Sequence, residues 1–100
     1  MARFIYRMQS ILDIKEKMEE QAKMEFAAAR MHLDEEEEKL QILNDRKAAY
    51  ENKGRELRKD SLKVREILEN REAITRMEEF IAYQMHQVEL AAARLEDARY

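Results

Sequence analysis

The chain of 100 residues contains no cysteine, no proline, no tryptophan and a single glycine. Without cysteine it has neither a disulfide framework nor a thiolate metal site, which points to a reducing compartment, the cytoplasm. Without proline, and with only Gly54 to relax the backbone, few positions can interrupt a helix. A compact globule of this length needs loops every dozen residues or so, and the usual markers of those loops are nearly missing. Long apolar runs are missing as well. The opening segment from Met1 to Leu12 has its apolar residues broken by Arg3 and Arg7 and lacks a small-residue cleavage site, so it does not read as a signal peptide. No stretch is apolar enough to span a bilayer, and the expectation is a soluble protein. The 19 basic and 22 acidic side chains leave a net charge of -3, so no general affinity for nucleic acid is expected.

What is present is charge and periodicity. Charged residues make up 41% of the chain beside 45% hydrophobic ones, the balance of long helices that bury only a narrow seam. In the second half, Val64, Ile67, Arg71, Ile74, Glu78, Ile81, Met85, Val88, Ala92 and Leu95 alternate at spacings of three and four, a heptad stripe with two polar interruptions. The first half carries two stripes. Met8, Ile11, Lys15, Met18 and Ala22 form one, and Phe26, Ala29, Leu33, Glu36, Leu40, Leu43, Lys47 and Tyr50 form the other. The eleven residues from Lys15 to Phe26 mark a stutter, which unwinds the supercoil locally while the helix continues.

Between the halves, Gly54 can take the left-handed conformation that closes a helix, and Asp60-Ser61 can cap the next one. The expected fold is all-α: two long helices forming an antiparallel coiled-coil hairpin, a single domain over residues 1–100. Helix 1 is expected at about 3–53, the turn at about 54–61 and helix 2 at about 62–100. Facing residue numbers then add to about 115, which sets Ile74 against Leu40, Ile81 against Leu33, Met85 against Ala29, Val88 against Phe26 and Leu95 near Met18. This leaves Phe4, Ile5, Tyr6, Met8, Ile11, Leu12 and Ile14 without a partner in the chain, so residues 4–14 are a candidate surface for self-association. The heptad pattern still runs at Arg99-Tyr100 with no stop signal, and helix 2 reads as truncated.

Catalytic constellations are not evident. The run from Asp34 to Glu38 places its carboxylates all round a helix, and only Glu36 is expected to touch the seam. A calcium loop needs a turn glycine, and a helical di-iron site needs Glu three residues before His. His32 is preceded at that distance by Ala29, and His86 by Tyr83. One glycine cannot build a phosphate-binding loop. No metal, cofactor, small-molecule substrate or enzymatic activity is expected. Near the turn, eight basic residues face five acidic ones, a mildly basic tip. Ala73, Met77, Phe80 and Gln84 form a second stripe on helix 2, expected beside the seam and facing a partner, with Met77 and Phe80 removable without loss of folding.

The opening Phe4-Ile5-Tyr6-Arg7-Met8-Gln9-Ser10-Ile11-Leu12-Asp13-Ile14-Lys15-Glu16 resembles the start of the FliJ family of flagellar export proteins. Leu40, Leu43 and Tyr50, then Ile74, Met77, Ile81 and Gln84, resemble the pattern that flanks that family's hairpin tip. The similarity covers essentially the whole chain and matches the N-terminal two-thirds of the family's proteins. It implies a coiled-coil stalk of the bacterial flagellar type III export apparatus, cytoplasmic and peripheral at the inner face of the cell membrane at the flagellar base. The implied partners are the export ATPase hexamer, the cytoplasmic part of the export gate and the export chaperones. The family's gate-contacting patch falls on Leu43, Arg46, Tyr50, Ala73, Met77, Phe80 and Gln84, with Arg46 where an aromatic often stands and Ala73 smaller than the usual aromatic. A passive structural or dimerising rod is the competing reading. It accounts for the seam but for neither the second stripe nor the aromatic opening.

Overall fold

The computed structural model describes residues 2–59 and 63–99. Two helices account for nearly all of them. Helix α1 spans Ala2–Leu57 and helix α2 spans Val64–Asp97, packed against each other as an antiparallel hairpin. The principal extents are 92 × 15 × 14 Å and the radius of gyration is 25.1 Å, against about 13 Å for a compact chain of this length. A rod this thin has little interior. Among the described residues no large side chain is fully buried, and Ala91, near the end of α2, is at 0% exposure.

The inward stripe of α2, buried at Asn70, Gln84 and Ala91 and half-buried at the rest, is Ile67, Asn70, Ile74, Met77, Ile81, Gln84, Val88, Ala91 and Leu95, with spacings of three and four throughout. It keeps the expected isoleucine row and replaces the expected second row. Arg71, Glu78, Met85 and Ala92 are exposed, and Asn70, Met77, Gln84 and Ala91, one position earlier in each heptad, turn inward. On α1 the stripe from Phe26 through Ala29, Leu33, Glu36, Leu40 and Leu43 to Lys47 is at least half-buried, as expected, with Glu36 drawn in from the acidic run. Helix α1 passes unbroken through the stutter.

Register and turn also differ from the sequence expectation. Asn70 Nδ2 donates to the carbonyl of Tyr50 at 2.9 Å, and Gln84 Nε2 donates to the carbonyl of Glu36 at 2.9 Å, so facing numbers add to 120 in both pairs instead of 115. Ile74, Ile81, Val88 and Leu95 therefore lie further toward the tip of α1 than Leu40, Leu33, Phe26 and Met18, and Met18 is exposed. The stretch of α1 left uncovered grows accordingly, and residues 2–21 are exposed throughout.

Gly54 lies inside α1, buried, and no glycine has positive φ. It does not end the helix; the chain leaves α1 after Leu57, where Arg58 N–H still bonds the Gly54 carbonyl at 3.1 Å. Its value is space. A Cβ at this position would sit 2.5 Å from Asn70 Oδ1. In an α-helix the carbonyl of residue 50 points at the N–H of residue 54, so a missing side chain at 54 opens that carbonyl to a donor from the other helix. Asn70 occupies the opening. The expected cap at Asp60-Ser61 lies outside the described residues, and Lys63, which precedes α2, makes no side-chain capping bond.

Candidate functional site

Near the tip the two helices present one continuous side, built from four columns of residues seven apart. On α1 the inner column is Glu36, Leu43, Tyr50 and Leu57, and the outer one is Lys39, Arg46 and Lys53. On α2 the inner column is Asn70, Met77, Gln84 and Ala91, and the outer one is Ala73, Phe80 and Gln87. All seven residues singled out from the sequence fall on these columns. Leu43, Met77 and Gln84 are inner residues that face the opposite helix. Arg46 and Phe80 are exposed outer ones, with Phe80 at 54%, while Tyr50 is 36% exposed and Ala73 half-buried. The stripe on α2 is thus not beside the seam: its Met77 and Gln84 form part of the seam, and Phe80 with Ala73 forms its margin. Replacing Met77 is therefore a change to packing, contrary to the expectation that it could be removed without cost to folding.

Two shallow grooves run along this side. One is lined by Tyr50, Lys53 and Leu57 of α1 and by Glu66, Asn70 and Ala73 of α2. The other is lined by Lys39, Ile42, Leu43 and Arg46 with Gln84. Their floors are polar where the helices meet. Gln84, 7% exposed, donates its amide both to the carbonyl and to the carboxylate of Glu36, itself 7% exposed. That carboxylate also takes the Lys39 ammonium at 3.2 Å and has His32 at 4.0 Å. The Gln84 bond, with smaller help from Lys39 and His32, holds the Glu36 carboxyl below its ordinary pKa, against the opposing effect of burial. A buried carboxylate with these partners is satisfied, and no buried side-chain polar atom lacks a hydrogen bond among the described residues.

Chemistry is sparse elsewhere. His86 pairs with Glu89 at 3.9 Å, away from the His32–Glu36 cluster, and no group of three metal-ligating side chains converges among the described residues. Among the same residues no helix is long and apolar enough to cross a membrane. The aromatic members of this side are Phe80 and Tyr50, flanked by the exposed Arg46 and Lys53.

The family model of the flagellar FliJ protein matches residues 4–100. The chain belongs to the FliJ family. No curated protein and no solved structure matches it. The match begins at Phe4 and so includes the exposed start of α1 as well as the tip. FliJ membership makes the chain a component of the flagellar export apparatus, and the helical hairpin is the form in which that component presents its side chains.

What sequence reasoning missed were the residues that hold the helices in register: Asn70, Gly54 and the inward turn of Gln84. A lone glycine in an otherwise helical pattern signals a packing or functional reason when it is not a terminus. An asparagine at a seam position is a known register device.

Proposed function

We propose that this chain is a coiled-coil stalk of the flagellar export apparatus. In this reading it associates with the export ATPase ring and, through the tip side of the hairpin, with the cytoplasmic part of the export gate, helps couple energy to export, and handles export chaperones without catalysis of its own. It would work in the cytoplasm, peripheral to the membrane at the flagellar base, as a single-domain rod.

The observation that carries the reading is the exposed aromatic margin. Phe80 stands half out of a hairpin that already has a complete seam, and Tyr50 and Arg46 lie on the same side. A rod whose only task was length would gain nothing from an exposed phenylalanine there, since it costs solubility without adding to the core. Leu43, Met77, Ala73 and Gln84 belong to the same patch as its floor and supporting wall.

Binding of the gate's cytoplasmic domain, measured by calorimetry, tests this. Phe80→Ser together with Arg46→Glu should leave the helical circular dichroism and the melting temperature near the parent values while binding falls at least tenfold. Unchanged affinity would return the molecule to the passive-rod reading. Pull-down on the export ATPase tests the other end of the proposal.

A further inference from the structure

The flank of α2 opposite Phe80 carries a second helix-packing surface, and we infer that its occupant is a second copy of this chain, with the two α2 helices laid antiparallel.

Val64, Leu68, Arg71, Thr75, Glu78, Ala82 and Met85 follow one another at spacings of four and three, and every one of them is exposed. Half of this stripe is the row whose spacing resembles a core and which the structure turns outward. Its large apolar members stay in water, Val64 at 59%, Leu68 at 54% and Met85 at 51%. A shallow depression lies along it, lined by Leu68, Arg71 and Thr75 together with Glu72 and Arg76. The stripe runs beside the paired half of the rod, where α1 already lies along α2, so its exposure owes nothing to how far α2 extends. Phe80 is two residues from both Glu78 and Ala82, which in a helix puts it on the other side. The tip side therefore stays free when this flank is covered.

A heptad-spaced surface takes a helix, and the charges on this one select which helix. The stripe from Val64 to Met85 holds one cation and one anion, Arg71 and Glu78. Arg71 makes no ion pair among the described residues. Glu78 meets Lys47 at 3.6 Å, yet 55% of its side chain remains exposed. A stripe with one charge of each sign is its own complement when inverted. In an antiparallel pair whose facing numbers add to about 153, Leu68 meets Met85 of the other copy and the apolar stem of Arg71 crosses Ala82. The guanidinium is then one turn from Glu78 of the other copy, and the two-fold axis makes each contact twice. A parallel pair would stack Arg71 on Arg71 and Glu78 on Glu78.

Sedimentation of the intact chain over a rising concentration series should show the molar mass climbing from monomer toward twice that value. Arg71→Glu and Glu78→Arg, each alone, set like charges across the axis and should raise the dissociation constant at least about tenfold. Mixed in equal amounts, the two variants restore both charge pairs and should associate as the parent does. Tyr83→Glu, at an exposed position on another side of α2, should dimerise like the parent. Circular dichroism checks that every variant keeps its helices. A chain that stays monomeric throughout the series overturns the inference. So does association that survives Arg71→Glu unchanged, which would place the contact elsewhere, the apolar start of α1 included. Two variants that fail to rescue each other would refute the antiparallel pairing.

Discussion

The two ends of α1 differ in what apolar content achieves. Residues 4–14 hold Phe4, Ile5, Tyr6, Met8, Ile11, Leu12 and Ile14, and every one of them is exposed. The tip-proximal half is more polar, yet Glu36, Gly54 and Leu57 are buried there, against Asn70 and Gln84 of α2. Burial in a rod follows the partner and not the composition. Where α2 runs alongside, even a glutamate is drawn in, because its carboxylate and the neighbouring carbonyl find donors. Where α2 is absent, a phenylalanine stays in water. The polar contacts also give the paired half something the apolar stripe lacks, a single register. Isoleucines and leucines pack acceptably one heptad up or down, whereas an asparagine amide aimed at one carbonyl does not.

The sharpest way to break this comparison is to truncate one isoleucine in each half. Ile81→Ala should destabilise the hairpin by about 2 kcal/mol through lost burial, and Ile11→Ala, in dilute solution, by no more than about 0.5 kcal/mol. Urea melts at low protein concentration measure both, and equal costs would erase the distinction between the halves.

Next in size is the buried polar pin. Gln84→Ala removes two hydrogen bonds, one of them to a carboxylate, and leaves Glu36 facing an empty space. We expect a loss of roughly 1.5 kcal/mol. A variant as stable as the parent would show that the isoleucine row alone sets the register.

Gly54 offers a test in which the sign changes. Placing alanine in a helix interior instead of glycine is normally worth about 1 kcal/mol in stability. Here the new Cβ would collide with Asn70 Oδ1 and disturb its bond to the Tyr50 carbonyl. Gly54→Ala should therefore destabilise by about 1 kcal/mol on its own, a cost of the order of one hydrogen bond. In an Asn70→Ala background the same change should stabilise. A double-mutant cycle isolates the coupling, and two independent effects would show that the glycine is not there to admit the asparagine.

The smallest effect concerns acid. The Glu36 pKa is lowered in the folded state, chiefly by Gln84. Stability from this group is thus fully present above the unfolded carboxylate pKa and is lost as pH falls through the lower folded value. Thermal melts between pH 6 and pH 3 should show a steeper acid loss in the parent than in Gln84→Leu. Parallel curves would mean the hydrogen bond contributes nothing to the titration.

Much of the architecture is legible in the order of residues alone. The scarcity of Gly and Pro, the heptads and one reversal at about 54–61 specify two helices. The isoleucine row of α2 and the α1 stripe from Phe26 to Lys47 turn inward and are at least half-buried as their spacing indicates, though Tyr50, the expected end of that stripe, is not. The choice between rows is not legible. On α2 the positions three and four after each isoleucine row member lie on either side of it, and apolar Met85 is a more plausible core residue by type than Gln84. The same ambiguity shifts the register. It also splits the candidate site, because Met77 and Gln84 could be called outward only if Met85 were inward.

By itself, then, the sequence determined a helical hairpin with a heptad stripe on each helix, since periodicity and propensity are local and add up along the chain. Only the tertiary structure decided which flank of the stripe turns in, how far α2 reaches along α1, and which aromatics remain exposed. Those depend on a few donors meeting particular carbonyls across the seam: Asn70 at Tyr50, where Gly54 leaves room, and Gln84 at Glu36. Such pairings join residues twenty and forty-eight positions apart, and no local pattern encodes them.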